Sequence, residues 1–473
     1  MQKNSFFLNV ASVATGAAAS QAVALLALPI LTRLYSPAQF GVLGVYAGIL
    51  AVLSVVVCLR FENAIPLPKT DRAASHVAFL ALLVAVLIAA LTGISLMVFR
   101  SLLSFNNSEM GEANFSLLLV AGVFGSGLYQ IGNYWSVRSR RFDVIGKTRF
   151  QQTVVGCIAQ LSFGYMGFGA IGLIVGQLLS QVSGFVSLGW DVFFKIKKNK
   201  YIYFKRKYIS WVFERFKRFP FFDTPAAILN ATSSQAPLIL FAALFSPELA
   251  GFYALSTKVL SAPLSLIGSS ISQVLIPRIV EGRANGEASK TMYKTFRALA
   301  SISALPFAVF FVVAPTVFSS LFGHVWRDAG TVAAWTALWV AFQFVYAPIS
   351  VYLLCVEAQF LNMCIQAVLF ALRLCALALS FYIGQGVDPV VVYSMVSIFC
   401  YLMALIVLLR FSGVSVILVL RAILVESGIG ASFAIIVWFF WERGVTQVAL
   451  VLLLTVVFYV ARLLVMKREL LGR

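Results

Sequence analysis

Apolar residues run along this chain in blocks of about 20, the length that a bilayer-spanning helix requires, each closed by a short polar interruption. Spans are predicted near 6 to 31, 41 to 59, 75 to 98, 115 to 136, 150 to 166 and 169 to 191. A second set of six follows near 219 to 243, 250 to 277, 298 to 322, 331 to 354, 360 to 383 and 388 to 409. Two more lie near 426 to 441 and 446 to 466, after a segment from Phe411 to Val425 that is apolar but carries Arg421. The expected architecture is an all-α polytopic membrane protein of about 14 transmembrane helices. Residues 1–192 form an N-terminal six-helix lobe, 193–218 a basic cytoplasmic linker, 219–410 a C-terminal six-helix lobe, and 411–473 an interfacial segment with helices 13 and 14.

Composition agrees with that pattern, because 61% of the 473 residues are hydrophobic and only 11% are charged. Such a chain finds its solvent in lipid. An excess of 36 Lys and Arg over 17 Asp and Glu would suit nucleic acid if it gathered on one soluble face. Here it gathers in short loops with no interleaved aromatic platform, so no nucleic-acid partner is expected. Cys58, Cys157, Cys355, Cys364, Cys375 and Cys400 lie in or beside apolar segments without CxxC spacing, which predicts packing residues and no metal site. The first apolar stretch reaches about Leu31, beyond the roughly 7–15 residues of a signal-peptide core, and is expected to be a retained helix.

Charge placement predicts orientation, since cytoplasmic loops retain Lys and Arg. With the N-terminus inside, 30 of the 36 cations fall on the inner side and four on the outer side: Arg33, Arg100, Arg327 and Arg443. Lys258 and Arg373 stay within spans. Both termini are therefore expected in the cytoplasm. The linker Lys195 to Arg218, with Tyr201, Tyr203, Phe204 and Trp211 among its charges, has the composition of an amphipathic helix resting on anionic lipid.

An internal repeat appears at a spacing of about 210 residues. Leu34-Tyr35-Ser36-Pro37-Ala38-Gln39-Phe40-Gly41 parallels Leu244-Phe245-Ser246-Pro247-Glu248-Leu249-Ala250-Gly251, and Ala64-Ile65-Pro66 parallels Leu275-Ile276-Pro277. Six spans separate the copies, so the two lobes are predicted to be pseudo-symmetric and parallel, a plan shared by transporters that bind substrate between halves.

Ionisable groups within spans are costly and point to function. Lys258 lies about eight residues, roughly 12 Å, inside its span. Arg373 lies near the midplane, and Asp223 is the nearest candidate anion. Gln177, Ser180 and Gln181 share one helix face, as do Asp223, Asn230 and Ser234. Lys258, Arg373, Asp223, Asn230, Gln177 and Gln181 are the candidate lumen residues, although interhelical hydrogen bonding explains any one polar group as well as a lumen does. A polar cavity with fixed positive charge suits a diphosphate or an acidic, hydroxyl-rich sugar. A cationic drug would call for buried carboxylates.

The run Leu31-Thr32-Arg33-Leu34-Tyr35-Ser36-Pro37-Ala38-Gln39-Phe40-Gly41, followed by Leu59-Arg60-Phe61-Glu62-Asn63-Ala64-Ile65-Pro66-Leu67-Pro68, resembles the N-terminal signature of the polysaccharide-transport family. These are the Wzx-type O-antigen and exopolysaccharide repeat-unit flippases of the multidrug/oligosaccharidyl-lipid/polysaccharide superfamily. The resemblance implies translocation of an undecaprenyl-diphosphate-linked oligosaccharide across a bacterial inner membrane by alternating access, with membrane lipids and polymerase or synthase proteins as further partners. It places Arg33, Arg60 and Glu62 in the family pattern as gate or helix-end residues. The two helices beyond twelve leave a lipid II flippase as an alternative, and a small-molecule efflux transporter is another. No enzyme is expected, since His76 and His324 are isolated and no long outer loop holds a catalytic constellation. A Walker A loop is absent from the sequence and no cofactor is implied, so direct ATP use is not expected; an ion gradient could drive transport, and no residue identifies the ion.

Overall fold

The first helix, α1 (Gln2–Leu34), ends at Leu34, and two residues later Ser36 caps α2 (Pro37–Val56). The Ser36 hydroxyl accepts from the Gln39 backbone N–H, the Gln39 side chain accepts from the Ser36 N–H, and Pro37 occupies the first turn, where no backbone donor is required. The computed structural model describes residues 2–98, 112–198, 206–284, 287–384, 386–441, 455–459 and 462. Among them there is no strand. The chain divides into two compact units, Met1–Ala254 and Leu255–Arg473.

The first unit continues with α3 (Asp71–Val98), α4 (Glu112–Arg138), α5 (Phe142–Tyr165), α6 (Gly169–Lys198), α7 (Arg206–Phe216), α8 (Thr224–Leu244) and the opening turns of α9 (Pro247–Ala284). α5 packs against α1 and α6, α4 against α3 and α6, and α2 against α8. A core of Tyr46, Leu50, Phe61, Ile65, Val77 and Trp135 joins α2, α3 and α4. The short α7 lies in the basic linker and is amphipathic: Val212 and Phe216 are buried against this core while Trp211 and Phe213 are exposed.

The second unit holds the rest of α9, then α10 (Ala288–Phe322), α11 (Arg327–Ile349), α12 (Val351–Cys355), α13 (Gln359–Ile383), α14 (Pro389–Phe411) and α15 (Val416–Trp441). α10 packs against α11 and α15, and α14 against α11 and α13. Buried Phe296, Phe318, Trp326 and Tyr393 anchor these contacts. Where the first turn of α15 was expected near residue 426, it lies at Val416, so residues 416–425 belong to a continuous helix that carries Arg421 within it. The span expected at 446 to 466 lies largely outside the described residues, of which 455–459 and 462 are helical.

Among the described residues, eleven helical segments are long and apolar enough to cross a membrane, which makes this a multi-pass membrane protein. α5 is not one of them. It begins at Phe142, eight residues before the expected start, and its first half carries Asp143, Lys147, Arg149, Gln151 and Gln152. Flanked by α1 and α6, it directs part of that polarity toward the inside of the unit.

Candidate functional site

Between α2 and α3 the chain turns through two left-handed residues, Leu59 (φ 46°) and Arg60 (φ 61°), into a short 3-10 turn, Phe61–Ala64. Left-handed backbone at residues with side chains costs of order 1–3 kcal/mol each and persists only where its surroundings hold it. The surroundings here are specific. Arg138 at the end of α4 donates to the carbonyl of Pro68 at 2.5 Å and makes two hydrogen bonds to Asp71 Oδ1, at 2.9 and 3.1 Å. From beyond α7, Asp223 closes the other side: its Oδ2 accepts from Asn63 Nδ2 at 3.0 Å and pairs with Arg60 Nε at 3.3 Å. Phe213 of α7 packs its ring 6.1 Å from that of Phe61.

Glu62 sits at the centre of this turn with no exposed side-chain surface, and Arg60 is the nearest cation at 3.9 Å. Neither of its carboxyl oxygens finds a hydrogen-bond partner in the protein. Burial pushes this carboxyl up to about 7, against the opposing pull of Arg60. Arg60, Glu62 and Asp223 therefore form one cluster. Asp223, a candidate lumen residue, shares the turn of the two gate candidates. Arg33 stands apart, exposed in the last turn of α1, where a cation complements the helix dipole.

A cavity of about 580 Å³ opens inside the first unit, walled by α1, α2, α4, α5 and α6. Gln177, Ser180 and Gln181, which share one face of α6, all line it. Opposite them stand Arg149 and Gln152 of α5 and Tyr129 of α4. Gln130 Nε2 donates to the Ser54 carbonyl at 2.8 Å, and the Arg149 side chain is exposed. The amide oxygen of Gln181 is buried and accepts no hydrogen bond within the protein. No carboxylate lines the cavity among the described residues. Arg149 does not stand out in the sequence, where it falls among the loop charges that follow Arg138. The signal that would have found it is the spacing Arg149, Gln152, Thr153, which repeats on α5 the i, i+3, i+4 pattern of α6.

In the second unit, Lys258 is exposed on α9, one turn beyond Ala254. Arg373 of α13 lies over three rings: its guanidinium carbon is 4.6 Å from the ring centre of Tyr401, 5.2 Å from Trp339 and 5.9 Å from Tyr393. Trp339 and Tyr401 are themselves stacked at 5.9 Å. Such a cage holds a cation within the bilayer through the quadrupoles of the ring faces, each worth about 0.5–2 kcal/mol. Asn230 and Ser234 lie on an exposed face of α8 in the first unit. A further ion pair, not foreseen from sequence, joins Arg462 to buried Glu426 of α15, whose other oxygen accepts from Ser301 of α10 at 2.6 Å.

Residues 30–331 match the model of a family described as polysaccharide biosynthesis protein. The chain belongs to that family. Its fold is that of the MOP superfamily. A solved structure of the lipid II flippase MurJ in an inward closed conformation superposes with a TM-score of 0.68 over 96% of this chain and 98% of that one, at 11% identity. An inward-facing multidrug resistance MATE family transporter of the same superfamily gives 0.61 over 83% and 94%, at 14% identity. A MOP superfamily transporter from Pyrococcus furiosus gives 0.50 over 88% and 96%, at 15% identity. No curated protein matches the sequence.

Proposed function

We propose that this family member moves a polyprenyl-diphosphate-linked oligosaccharide repeat unit, of O-antigen, capsule or exopolysaccharide, from the cytoplasmic to the periplasmic leaflet of a bacterial inner membrane by alternating access. The observation that carries the reading is the cavity within the first unit. It is large enough for a small-ligand site, lined by amides and hydroxyls, and charged only by Arg149 among the described residues. Hydroxyl-rich glycans pair with Gln and Ser groups, whereas a cationic cargo would call for acids, and none lines this cavity among the described residues.

In this reading both termini are cytoplasmic, as the partition of Lys and Arg implies. The Arg60, Glu62 and Asp223 cluster then stands at the inner mouth, and α7 lies along the inner leaflet. Lys258 and Arg373 add positive charge to the path of the diphosphate. An ion gradient supplies the drive, and a polymerase or synthase receives the product outside.

Deleting the gene tests the proposal by the fate of the lipid-linked repeat unit. The expected result is accumulation of complete units on the inner leaflet, with loss of surface polysaccharide. Accumulation of lipid II instead would replace the substrate with the peptidoglycan precursor, and a change in drug sensitivity alone would favour efflux.

A further inference from the structure

A hydroxyl inside a helix usually donates to a carbonyl of the preceding turn, as Ser303 does to that of Ala300 and Ser272 to that of Gly268 in the second unit. Three hydroxyls of α11 and α14 do not, and an indole N–H beside them is likewise unmet. Thr336 Oγ1, Ser394 Oγ, Ser397 Oγ and Trp339 Nε1 have no hydrogen-bond partner in the protein, although the first three residues have no exposed surface and Trp339 is only 6% exposed. The four converge. Ser397 stands one helical turn from both Tyr393 and Tyr401, the rings of α14 that Arg373 overlies, and Trp339 closes against the same rings at 6.2 and 5.9 Å. Thr336 lies one turn from Trp339, and Ser394 one turn from Ser397. Depth agrees too: counted from the helix ends on that side, Arg373 is ten residues from Ile383, Trp339 twelve from Arg327 and Ser397 eight from Pro389, or roughly 12–18 Å.

We infer that these groups, together with Arg373, form a binding site for a single-atom anion, a halide such as chloride, inside the second unit. Trp339 Nε1 and the guanidinium can only donate, and each of the three hydroxyls can turn to donate. Helices α13 and α14 contain no acid, and the one acid of α11, Asp328, is exposed in its first turn. A halide therefore answers the donors and the positive charge at once, at a depth where both are costly to leave unmet. Water would answer the donors, yet it leaves the charge as it was. Ring centres 5.9 to 6.2 Å apart leave space for one atom, not for a phosphate or a sugar. The inference goes beyond the transport reading, under which the halide is the counter-ion of Arg373 while no diphosphate is near.

Thermal unfolding of the full-length protein in lipid nanodiscs tests this with sodium chloride, sodium bromide and sodium gluconate. Exchanging gluconate for chloride or bromide at constant ionic strength is expected to raise the unfolding temperature along a saturating curve, as a ligand of the native state does. Trp339→Phe keeps an aromatic ring and removes the N–H, so half-saturation is expected to move to about tenfold higher halide, the size of one hydrogen bond to a charged group. Ser397→Ala is expected to shift it the same way, and Arg373→Gln to abolish the effect. Bromide located by anomalous scattering in crystals of the unaltered protein gives a readout that does not depend on any variant folding. Its peak is expected within hydrogen-bonding reach of Trp339 Nε1 and Ser397 Oγ. Identical unfolding in gluconate and halide, a halide effect unchanged by both Trp339→Phe and Ser397→Ala, or no bromide at Trp339 would each overturn the site and leave water as the partner of these donors. Gene deletion reads the cargo alone, so failure of the flippase reading there leaves the halide site standing.

Discussion

Gly41 and Gly251 meet reciprocally: a Cβ on Gly41 would lie 1.8 Å from the Pro247 carbonyl oxygen, and a Cβ on Gly251 would lie 1.9 Å from that of Pro37. The two copies of the internal repeat therefore pack against each other at equivalent positions. Their caps agree as well, with Ser36 accepting from Gln39 N at 3.3 Å and Ser246 from Leu249 N at 3.1 Å. Because the obstructing atoms are backbone, the crossing has no side chain that can yield. Gly41→Ala or Gly251→Ala should each destabilise the protein by about 1–3 kcal/mol, the usual penalty of overpacking. The double variant should cost less than the two together, since either methyl group already forces the helices apart. Thermal unfolding of the detergent-purified protein measures both.

The Glu62 carboxyl predicts a pH dependence whose sign follows from its surroundings. Folding raises it from 4.5 to about 7, so the folded state holds more protons than the unfolded chain across that window. Stability from this group is fully present below pH 4.5 and declines as pH rises toward 7, by roughly 3 kcal/mol in all. Glu62→Gln, which stays neutral, should flatten that part of the profile and raise the unfolding temperature at pH 8 more than at pH 5. A variant that follows the wild-type slope would remove Glu62 from the account.

Glu426 and Arg462 are partners that neither can spare. Removing one leaves a buried charge alone, which typically costs about 3–5 kcal/mol. Arg462→Met should therefore lower the yield of folded protein and its unfolding temperature. Adding Glu426→Gln to it should restore much of the loss, because the amide still accepts from Ser301.

Two cations of the second unit differ in what they should tolerate. Arg373 is fixed over Tyr401 and Trp339, so Tyr401→Leu should weaken its placement and reduce export nearly as much as Arg373→Ala does. Lys258 is exposed on its helix, and Lys258→Ala should lower surface polysaccharide while leaving the amount of membrane-inserted protein unchanged. Quantifying surface polysaccharide against immunoblotted protein separates the two effects. Normal export in both alanine variants and in their combination would exclude a role for positive charge here.

Hydropathy made most of the helices legible, since the bilayer imposes one length on every span. The Ser-Pro repeat was equally legible, because a cap and a Gly crossing demand particular residues at fixed spacing. The Arg60, Glu62 and Asp223 cluster could be read only in pieces. Arg60 and Glu62 stood in a recognisable motif, but Asp223 lies 160 residues beyond Asn63, and only the folded chain brings the two to 3.0 Å. The aromatic cage of Arg373 was hidden for the same reason, as Trp339, Tyr393 and Tyr401 sit on two other helices that look merely apolar. Arg149 was not legible because, next to the predicted start of a span, it looks like a loop charge, and only the fold shows that it lines the cavity.

The polar first half of α5 bears on how the protein is made. A segment with Lys147, Arg149, Gln151 and Gln152 within six residues has little reason to leave the translocation machinery for lipid by itself. The helix packs against α1, synthesised long before, and α6, synthesised directly after, while Lys147, Arg149 and Gln151 stay exposed. Biogenesis of the first unit thus calls for α5 to wait until α6 has emerged, so that the pair partitions into the membrane as a hairpin against α1.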